Sequence, residues 1–173
     1  ASLEGVKLAY HLWVKVFPHA WRSLSVSESQ SLQQPLVNLL TRDYHSKQYV
    51  KYPNVIQALL EGISKCEPKI VISPELLKFL GKSFNAWNIA IPMMETELQL
   101  MTSNGYFDER AERFCNALAE LYRVLSEEDM LCGVWRNFEI SEHTKYLFSL
   151  EQFGLWAEAQ DALKNALFSL QKG

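Results

Sequence analysis

A helix–break–helix pattern occurs twice in the C-terminal half of the chain. The first copy reads LAELYRVLSEEDMLCGVW, from Leu118 to Trp135, and the later SLEQFGLWAEAQDALKNAL is a looser version of the same design. In the later copy Gly154 lies at the break, and Ala159, Leu163 and Ala166 follow at helical spacing. A helix pair of this kind cannot bury its apolar faces alone, so copies stack on one another. Such a stack presents surfaces to other macromolecules more often than it performs chemistry.

Apolar spacing along the rest of the chain predicts an all-α fold, a tetratricopeptide-like helical-repeat solenoid of about eight or nine helices. The first helix is expected to begin near residue 3 and to reach the low twenties, with Pro18 as a kink or boundary. Gly81 is expected to interrupt a helix, and Pro92 to bend one. KIVI at 69–72 has β-like composition but no evident partner strand. Helix-start signals stand at Ser25 or Ser27, Pro53, Ser73, Asp108, Ser126 and Ser141.

Composition and charge limit the classes of function. The chain has 173 residues, of which 48% are hydrophobic, so it is long enough to bury a substantial core as one segment, residues 1–173. Its formal net charge is −3, and no basic run stands out. We therefore expect no direct contact with nucleic acid. Because the chain begins without Met and enters a predicted helix at once, we expect it to be a piece of a larger protein.

Cysteine usage points to a reducing compartment. Cys66, Cys115 and Cys132 are an odd number of thiols with no CxxC spacing, as expected for a cytosolic or nuclear protein. The N-terminal residues lack the features of a signal peptide, and no stretch approaches a membrane span. We expect neither a metal site, nor a cofactor, nor a membrane partner.

No arrangement of residues in the sequence indicates an enzyme. Nucleophilic catalysis would require a thiol or hydroxyl near an oriented histidine, yet no nucleophile elbow or cysteine-protease pattern is present. The acidic run at 127–129 is explained by helix capping. FLGKSF shares only GKS, the last three letters of the phosphate-binding motif GxxxxGKS. The side chains considered for catalysis were His11, His19, His45 and His143, with Cys115 or Cys132.

Large aromatic and aliphatic side chains at helical spacing are interpreted as layers between stacked helices rather than as a ligand box. The alternative, exposed aromatic anchors at a protein interface, stays open. The residues predicted to form the structural core of the repeats are Leu77, Leu80, Trp87, Leu121, Met130, Trp135, Gly154, Ala159 and Leu163.

Four blocks carry a resemblance to a known family. In order they are LWVKVFPHAW, SPELLKFLGKSFNAW, LAELYRVLSEEDMLCGVWR and LEQFGLWAEAQDALKNAL. Together they resemble the FAT domain of the large phosphatidylinositol-3-kinase-related proteins, and within that group its pseudokinase branch. The match runs from about Leu12 to Leu167, so residues 1–173 are expected to be one segment of a FAT α-solenoid.

The resemblance implies a non-catalytic role. Proteins of that branch are large nuclear scaffolds in SAGA-type histone acetyltransferase complexes, where they receive DNA-bound transcription activators. The implied partners are such activators, the other subunits of the complex and an adjoining kinase-like domain of the same chain. No catalytic residue belongs to this segment.

Two alternatives stay open at this point. The segment could belong to a catalytically active kinase of the same superfamily, which only the sequence of the kinase domain would reveal. It could also be an independent tetratricopeptide module that binds a peptide in its groove. That role normally uses a basic clamp, and the candidate lysines are dispersed: Lys78, Lys82, Lys145 and Lys164.

Overall fold

A computed structural model describes residues 3–103, 108–137, 146, 150 and 153–170. Over these residues the chain forms eight α-helices and one 3₁₀ helix, without a β-strand, so the predicted all-α class is confirmed. The chain divides into two compact units, Ala1–Glu97 and Leu98–Gly173. The elements are α1 (Leu3–Arg22), α2 (Val26–Leu40), the 3₁₀ helix (Asp43–Gln48), α3 (Val55–Ser64), α4 (Pro74–Phe84), α5 (Trp87–Ser103), α6 (Glu109–Leu125), α7 (Glu128–Asn137) and α8 (Trp156–Leu170).

In the first unit, α1 packs along α3 through an unusually close contact. The Trp13 and Phe17 rings stack with centroids 4.4 Å apart, and both lie over Gly62 of α3. A Cβ atom at Gly62 would lie 2.6 Å from Nε1 of Trp13, closer than real Cβ contacts come. Glycine is therefore required here by the approach of the indole, although it is a weak helix former.

Trp21 fixes the other end of α1. Its side chain is almost fully buried, and its Nε1–H donates a hydrogen bond to the carbonyl oxygen of Pro68 at 2.9 Å. A buried indole usually finds such a partner for its N–H. The bond ties α1 to the connection between α3 and α4.

A buried polar network joins the start of α3 to the end of α4. Asn54 and Gln57 form a capping box, in which each side chain accepts a hydrogen bond from the other residue's backbone N–H. Both side-chain amides also donate to the carbonyl of Phe84, at 2.9 and 3.1 Å. Gln57 donates further to the carbonyl of Asn85 at 2.9 Å. Carbonyl groups that the C-terminus of α4 leaves without helical donors are thus satisfied by the N-terminus of α3.

Three turns of the chain share one left-handed geometry. Asn85 (φ 52°), Ser126 (φ 59°) and Gly154 (φ 71°) each adopt the left-handed conformation. In each case the next N–H reaches back to a carbonyl five residues earlier, with N–O distances of 3.1, 2.9 and 2.9 Å. This is the 6→1 bond of the Schellman motif. Ser126 and Gly154 occupy the breaks of the two sequence copies, so those two breaks share their geometry.

Two predicted boundaries were wrong. Ser126 ends α6 instead of starting α7, because a Schellman turn satisfies the carbonyls of α6. Gly81 lies buried inside α4, and the break comes at Asn85. Asparagine can take the left-handed conformation without glycine's freedom, so the glycine was a misleading signal.

Local start signals predicted the beginnings of α2, α4 and α6. Ser25, Ser73 and Asp108 are N-caps whose side chains accept backbone N–H bonds. The start predicted at Pro53 is two residues early, because Asn54 is the N-cap and α3 begins at Val55. Helices α1 and α5 continue through Pro18 and Pro92. The predicted start at Ser141 lies outside the described residues.

The second unit is built on α6, which packs against α7. The inward face of α6 buries Phe114, Leu118 and Leu121 almost completely, and a face of this size supplies most of the stability of a helix pair.

Candidate interaction surfaces

The structure places four of the predicted repeat residues in buried positions. Leu77 and Leu80 lie on the inward face of α4, Leu121 on that of α6, and Ala159 near the start of α8. Their part in the stacking of repeats in a longer solenoid stays a prediction.

Met130 and Leu163 do not lie in a core of the described residues, and their part in the core of a longer repeat stack stays a prediction. Their side chains are 47% and 50% exposed. Apolar spacing identifies the apolar face of a helix, but it does not show whether a neighbour covers that face. On α7 the burial falls on Val134, and on α8 it falls on Ala159.

The three remaining predicted residues have different positions. Trp87 is half-buried at the first residue of α5. Trp135 lies in α7, and its side chain is outside the described part of the chain. Gly154 has open space around its Cβ position. Glycine is therefore required at position 154 by the backbone conformation, because a positive φ disfavours any L side chain.

Helix α1 carries two apolar faces. Trp13, Phe17 and Trp21 face the interior of the first unit, whereas Leu8, Leu12 and Val16 are 61%, 54% and 59% exposed. At 100° per residue, the two sets lie about 140° apart around the helix. We call the exposed set, Leu8, Leu12 and Val16, the α1 stripe. A surface helix needs one apolar face, so a second face indicates a surface for another element.

Helix α8 also exposes an apolar row. Trp156, Leu163 and Leu167 are spaced i, i+7 and i+11 and are each at least half exposed, so they share one side of the helix. We call these three residues the α8 stripe. Each unit of the chain thus presents an apolar helical surface of its own.

Of the histidines that were candidates for catalysis, His11 and His19 are exposed on α1. His45 is buried, and its Nε2 lies 2.9 Å from the carbonyl oxygen of Leu39, which can only accept. His143 is outside the described ranges. Within those ranges, no group of three or more His, Cys, Asp or Glu side chains is placed to hold a metal ion. None of the helices described has the length and apolar character needed to cross a membrane.

Burial controls the chemistry of two thiols. Loss of hydration raises the pKa of Cys66 to about 11. The same effect, together with the nearby Glu112 carboxylate, raises the pKa of Cys115 to about 12. Cys132 is half-buried. Because the thiolate is the nucleophile, the two buried cysteines are chemically inert small core residues.

We expect one fast-reacting thiol when the native chain is treated with a disulfide reagent at pH 8. At that pH a thiol of pKa 11 is only about 0.1% thiolate, and the two buried thiols are also shielded from the reagent, whereas Cys132 is partly exposed. Cys132 should therefore react first, with Cys66 and Cys115 at least about 100-fold slower. In denaturant, all three thiols should react fast. The variant Cys132→Ser should lack the fast phase; a fast phase that persists in this variant would contradict the prediction.

The family match and the similar proteins all point to the same family. Residues 5–66 match the family described as the Tra1 HEAT repeat ring region. The chain is 37% identical over 158 residues to the SAGA complex/NuA4 acetyltransferase complex subunit Tra1 of Schizosaccharomyces pombe, covering 91% of the chain and 4% of that protein. It is 36% identical over 172 residues to the subunit of the same description from Saccharomyces cerevisiae, covering 98% of the chain and 4% of the relative.

An animal relative shows the same extent of similarity. The human transformation/transcription domain-associated protein is 31% identical over 179 residues, which cover 95% of the chain and 5% of the relative. The chain thus spans a very small part of the length of these proteins. The match to a HEAT-repeat family confirms the predicted helical-repeat solenoid class, and its description names HEAT rather than tetratricopeptide repeats.

Proposed function

The chain belongs to the family of Tra1 and the transformation/transcription domain-associated protein, and we propose that it acts as a non-catalytic helical scaffold segment of a large transcription coactivator subunit. The observation that carries this proposal is the second apolar face of α1. One face of α1 is already packed against α3, so the exposed α1 stripe is available to a further element. Helical repeats use such faces to stack on their neighbours.

The names of the relatives support a role in an assembly. Two of them are described as subunits of the SAGA and NuA4 acetyltransferase complexes. We propose that this chain works in the same kind of nuclear complex. Its partners would be transcription activators, subunits of the acetyltransferase complex and the adjoining kinase-like domain, which we take to be a pseudokinase.

The place of the segment in its parent is part of the proposal. Residues 5–66 match the Tra1 HEAT repeat ring region, and this range includes LWVKVFPHAW, one of the four blocks that resemble a FAT domain. The other three blocks begin at Ser73 or later. We therefore place the chain where ring repeats give way to the FAT solenoid. The FAT assignment for the residues after 66 rests on the resemblance of these blocks.

The two alternative functions have less support. An active kinase parent requires catalytic residues in a domain outside this chain, and the names of the relatives describe complex subunits and transcription-associated proteins. A peptide-clamp module of the tetratricopeptide kind requires clustered basic side chains. The exposed Lys164 instead lies 3.6 Å from Asp161 on its own helix.

The test uses a tagged full-length parent with Leu12→Asp in the α1 stripe. We expect the unmodified parent to purify with acetyltransferase subunits and without kinase activity of its own. Because Leu12 is exposed, Leu12→Asp should leave the Tm of the isolated 173-residue chain nearly unchanged. In the parent it should expose α1 to limited proteolysis and reduce subunit recovery several-fold, because a charge would be buried without a partner.

Lys7→Asp is the matched control, since Lys7 is an exposed residue of α1 outside the stripe. It introduces the same carboxylate and should leave both readouts unchanged. Equal proteolysis and recovery for Leu12→Asp and the unmodified parent would overturn the stacking role. Kinase activity lost on mutation of the parent's own kinase domain, without acetyltransferase subunits, would favour the alternative of an active kinase.

A further inference from the structure

The first unit has a groove of about 440 Å³ beside α1 and α3. Its apolar lining includes Val14 and Pro18, two buried residues of α1. Four exposed basic or histidine side chains of the same helix also line it, namely His11, Lys15, His19 and Arg22. We call these four residues the α1 basic row. Their spacing of three or four residues places them on one side of the helix over about 16 Å, although they form no basic run in the sequence.

The positive charge of the α1 basic row is only partly compensated. After its first turn, α1 contains no acidic residue. Glu61 of α3 lines the groove, but its carboxylate is paired with Lys65 at 2.8 Å and accepts a hydrogen bond from the Tyr10 hydroxyl. Within the part of the chain that the structure describes, Lys15 and Arg22 form no ion pair. An anionic group that enters the groove would therefore meet two positive charges that are not already paired.

The helix dipole accounts for only part of this row. Positive charge is favoured near the C-terminus of a helix, and the effect falls off within the last turn. His19 and Arg22 lie in the last turn of α1. Lys15 lies about two turns and His11 about three turns before Arg22, so the dipole does not explain their place in the same row.

The α1 basic row runs beside the α1 stripe. At 100° per residue, the centres of the two sets lie about 65° apart around the helix. This angle is close to that between the apolar seam of a coiled coil and the charged positions that flank the seam. Residues at those flanking positions pair with opposite charges on the facing helix and so select the partner. A helix that packs on the α1 stripe would thus place its own flanking side chains over the α1 basic row.

We propose that the element that packs on the α1 stripe is an acidic amphipathic helix of the parent's own chain. Its apolar side chains lie on Leu12 and Val16, and its carboxylates enter the groove and pair with Lys15 and Arg22. The proposal deepens the proposed scaffold function and rests on it, because that function places a further element on the α1 stripe. The parent offers many such helices, since this chain covers only 4% of the length of its fungal relatives and helical repeats pack on their neighbours.

The charges determine which helix packs here more than how tightly it packs. Pairs at the rim of an interface add little affinity, whereas like charges placed opposite each other exclude wrong partners. A basic helix would meet the α1 basic row and be rejected, even if its apolar face matched the α1 stripe. The α1 basic row therefore gives the apolar contact a choice of partner that Leu12 and Val16 alone would not give.

A zero-length cross-linker identifies the occupant in the purified full-length parent. A water-soluble carbodiimide joins an amine only to a carboxylate that it already contacts. We expect Nζ of Lys15 to be joined to an Asp or Glu of the same chain outside residues 1–173. Lys65 and Glu61, paired at 2.8 Å, are the positive control. A Lys65–Glu61 link without any link from Lys15 to a carboxylate outside these residues would overturn the proposal. A link from Lys15 to a different subunit would overturn the assignment to the parent's own chain.

Charge reversal tests the pairing itself. In the parent, Lys15→Glu should speed the cleavage of α1 by subtilisin about fivefold, and Lys15→Arg should leave the rate unchanged. Lys47→Glu is the matched control, because Lys47 is an exposed lysine outside the groove lining. Replacing the cross-linked carboxylate residue by lysine should restore protection in the Lys15→Glu parent. Equal cleavage rates for Lys15→Glu and Lys47→Glu would overturn the pairing.

Two controls separate this inference from the fold and from the proposed function. The isolated 173-residue chain should have nearly the same Tm with and without Lys15→Glu, because Lys15 is exposed and forms no ion pair within the described residues. Failure of the parent to purify with acetyltransferase subunits would overturn the proposed function. It would leave the Lys15 link as support for the acidic helix, since that link lies within one chain.

Discussion

Replacing Trp21 by alanine is expected to lower the free energy of unfolding of the first unit by about 3–5 kcal/mol. The indole is 3% exposed, so its removal leaves a cavity between α1 and the rest of the unit. It also removes the 2.9 Å hydrogen bond to the carbonyl of Pro68. Urea denaturation followed by circular dichroism would measure the loss, because the missing α1 contacts lower the transition midpoint.

Two further variants separate the parts of this effect. Trp21→Phe keeps most of the apolar surface and loses the N–H, so it should cost about 1 kcal/mol for the hydrogen bond. Trp156→Ala removes an indole that is 64% exposed and should change stability by less than about 0.5 kcal/mol. Similar losses for Trp21→Ala and Trp156→Ala would contradict the burial of Trp21.

Gln57→Leu should destabilise the same unit by about 3 kcal/mol, because leucine keeps the bulk of the side chain but makes none of its hydrogen bonds. The carbonyl of Phe84 would lose one of its two side-chain donors. The carbonyl of Asn85 and the N–H of Asn54 would lose the partners that Gln57 supplies. Each buried polar group left unsatisfied costs about 1–3 kcal/mol. Chemical denaturation gives the total, and hydrogen exchange at the end of α4 gives its location.

The matched control is Gln34→Leu on α2. Gln34 is exposed, and its amide donates to Asn38 one turn away at 3.0 Å. Its replacement should cost less than about 0.5 kcal/mol. If both glutamine variants lost the same free energy, the Gln57 network would contribute nothing beyond an ordinary surface bond.

The beginnings of α2, α4 and α6 were predictable because their signals are local. Ser25 and Asp108 stand where a hydroxyl or carboxylate satisfies the free N–H groups of the next turn. The ends were harder to predict. Gly154 was recognised, but Asn85 and Ser126 adopt the same left-handed conformation without being glycine. A non-glycine residue in this conformation leaves only a weak trace in a single sequence.

Contacts between elements distant in sequence were not predictable. Asn54 and Gln57 carry the N-x-x-Q spacing of a capping box, which could have marked the start of α3. Nothing near them in sequence indicates their bonds to Phe84 and Asn85. In the sequence, Gly62 likewise looks like a glycine that only weakens its helix. The structure shows that Trp13 packs against it. The α1 stripe was expected as part of an apolar helix, but which of its faces stays open depends on where α3 lies.

The two tryptophan contacts of α1 together fix the length of helix between them. Trp13 rests on Gly62, and Trp21 is bonded to Pro68. Eight residues of helix separate the two indoles, a rise of about 12 Å. An insertion or deletion of one residue between them would turn one indole by about 100° away from its contact. The length of this stretch is therefore fixed, and we expect the fold of the unit to tolerate substitutions at its exposed positions, Lys15 and His19, where changes of length are not tolerated.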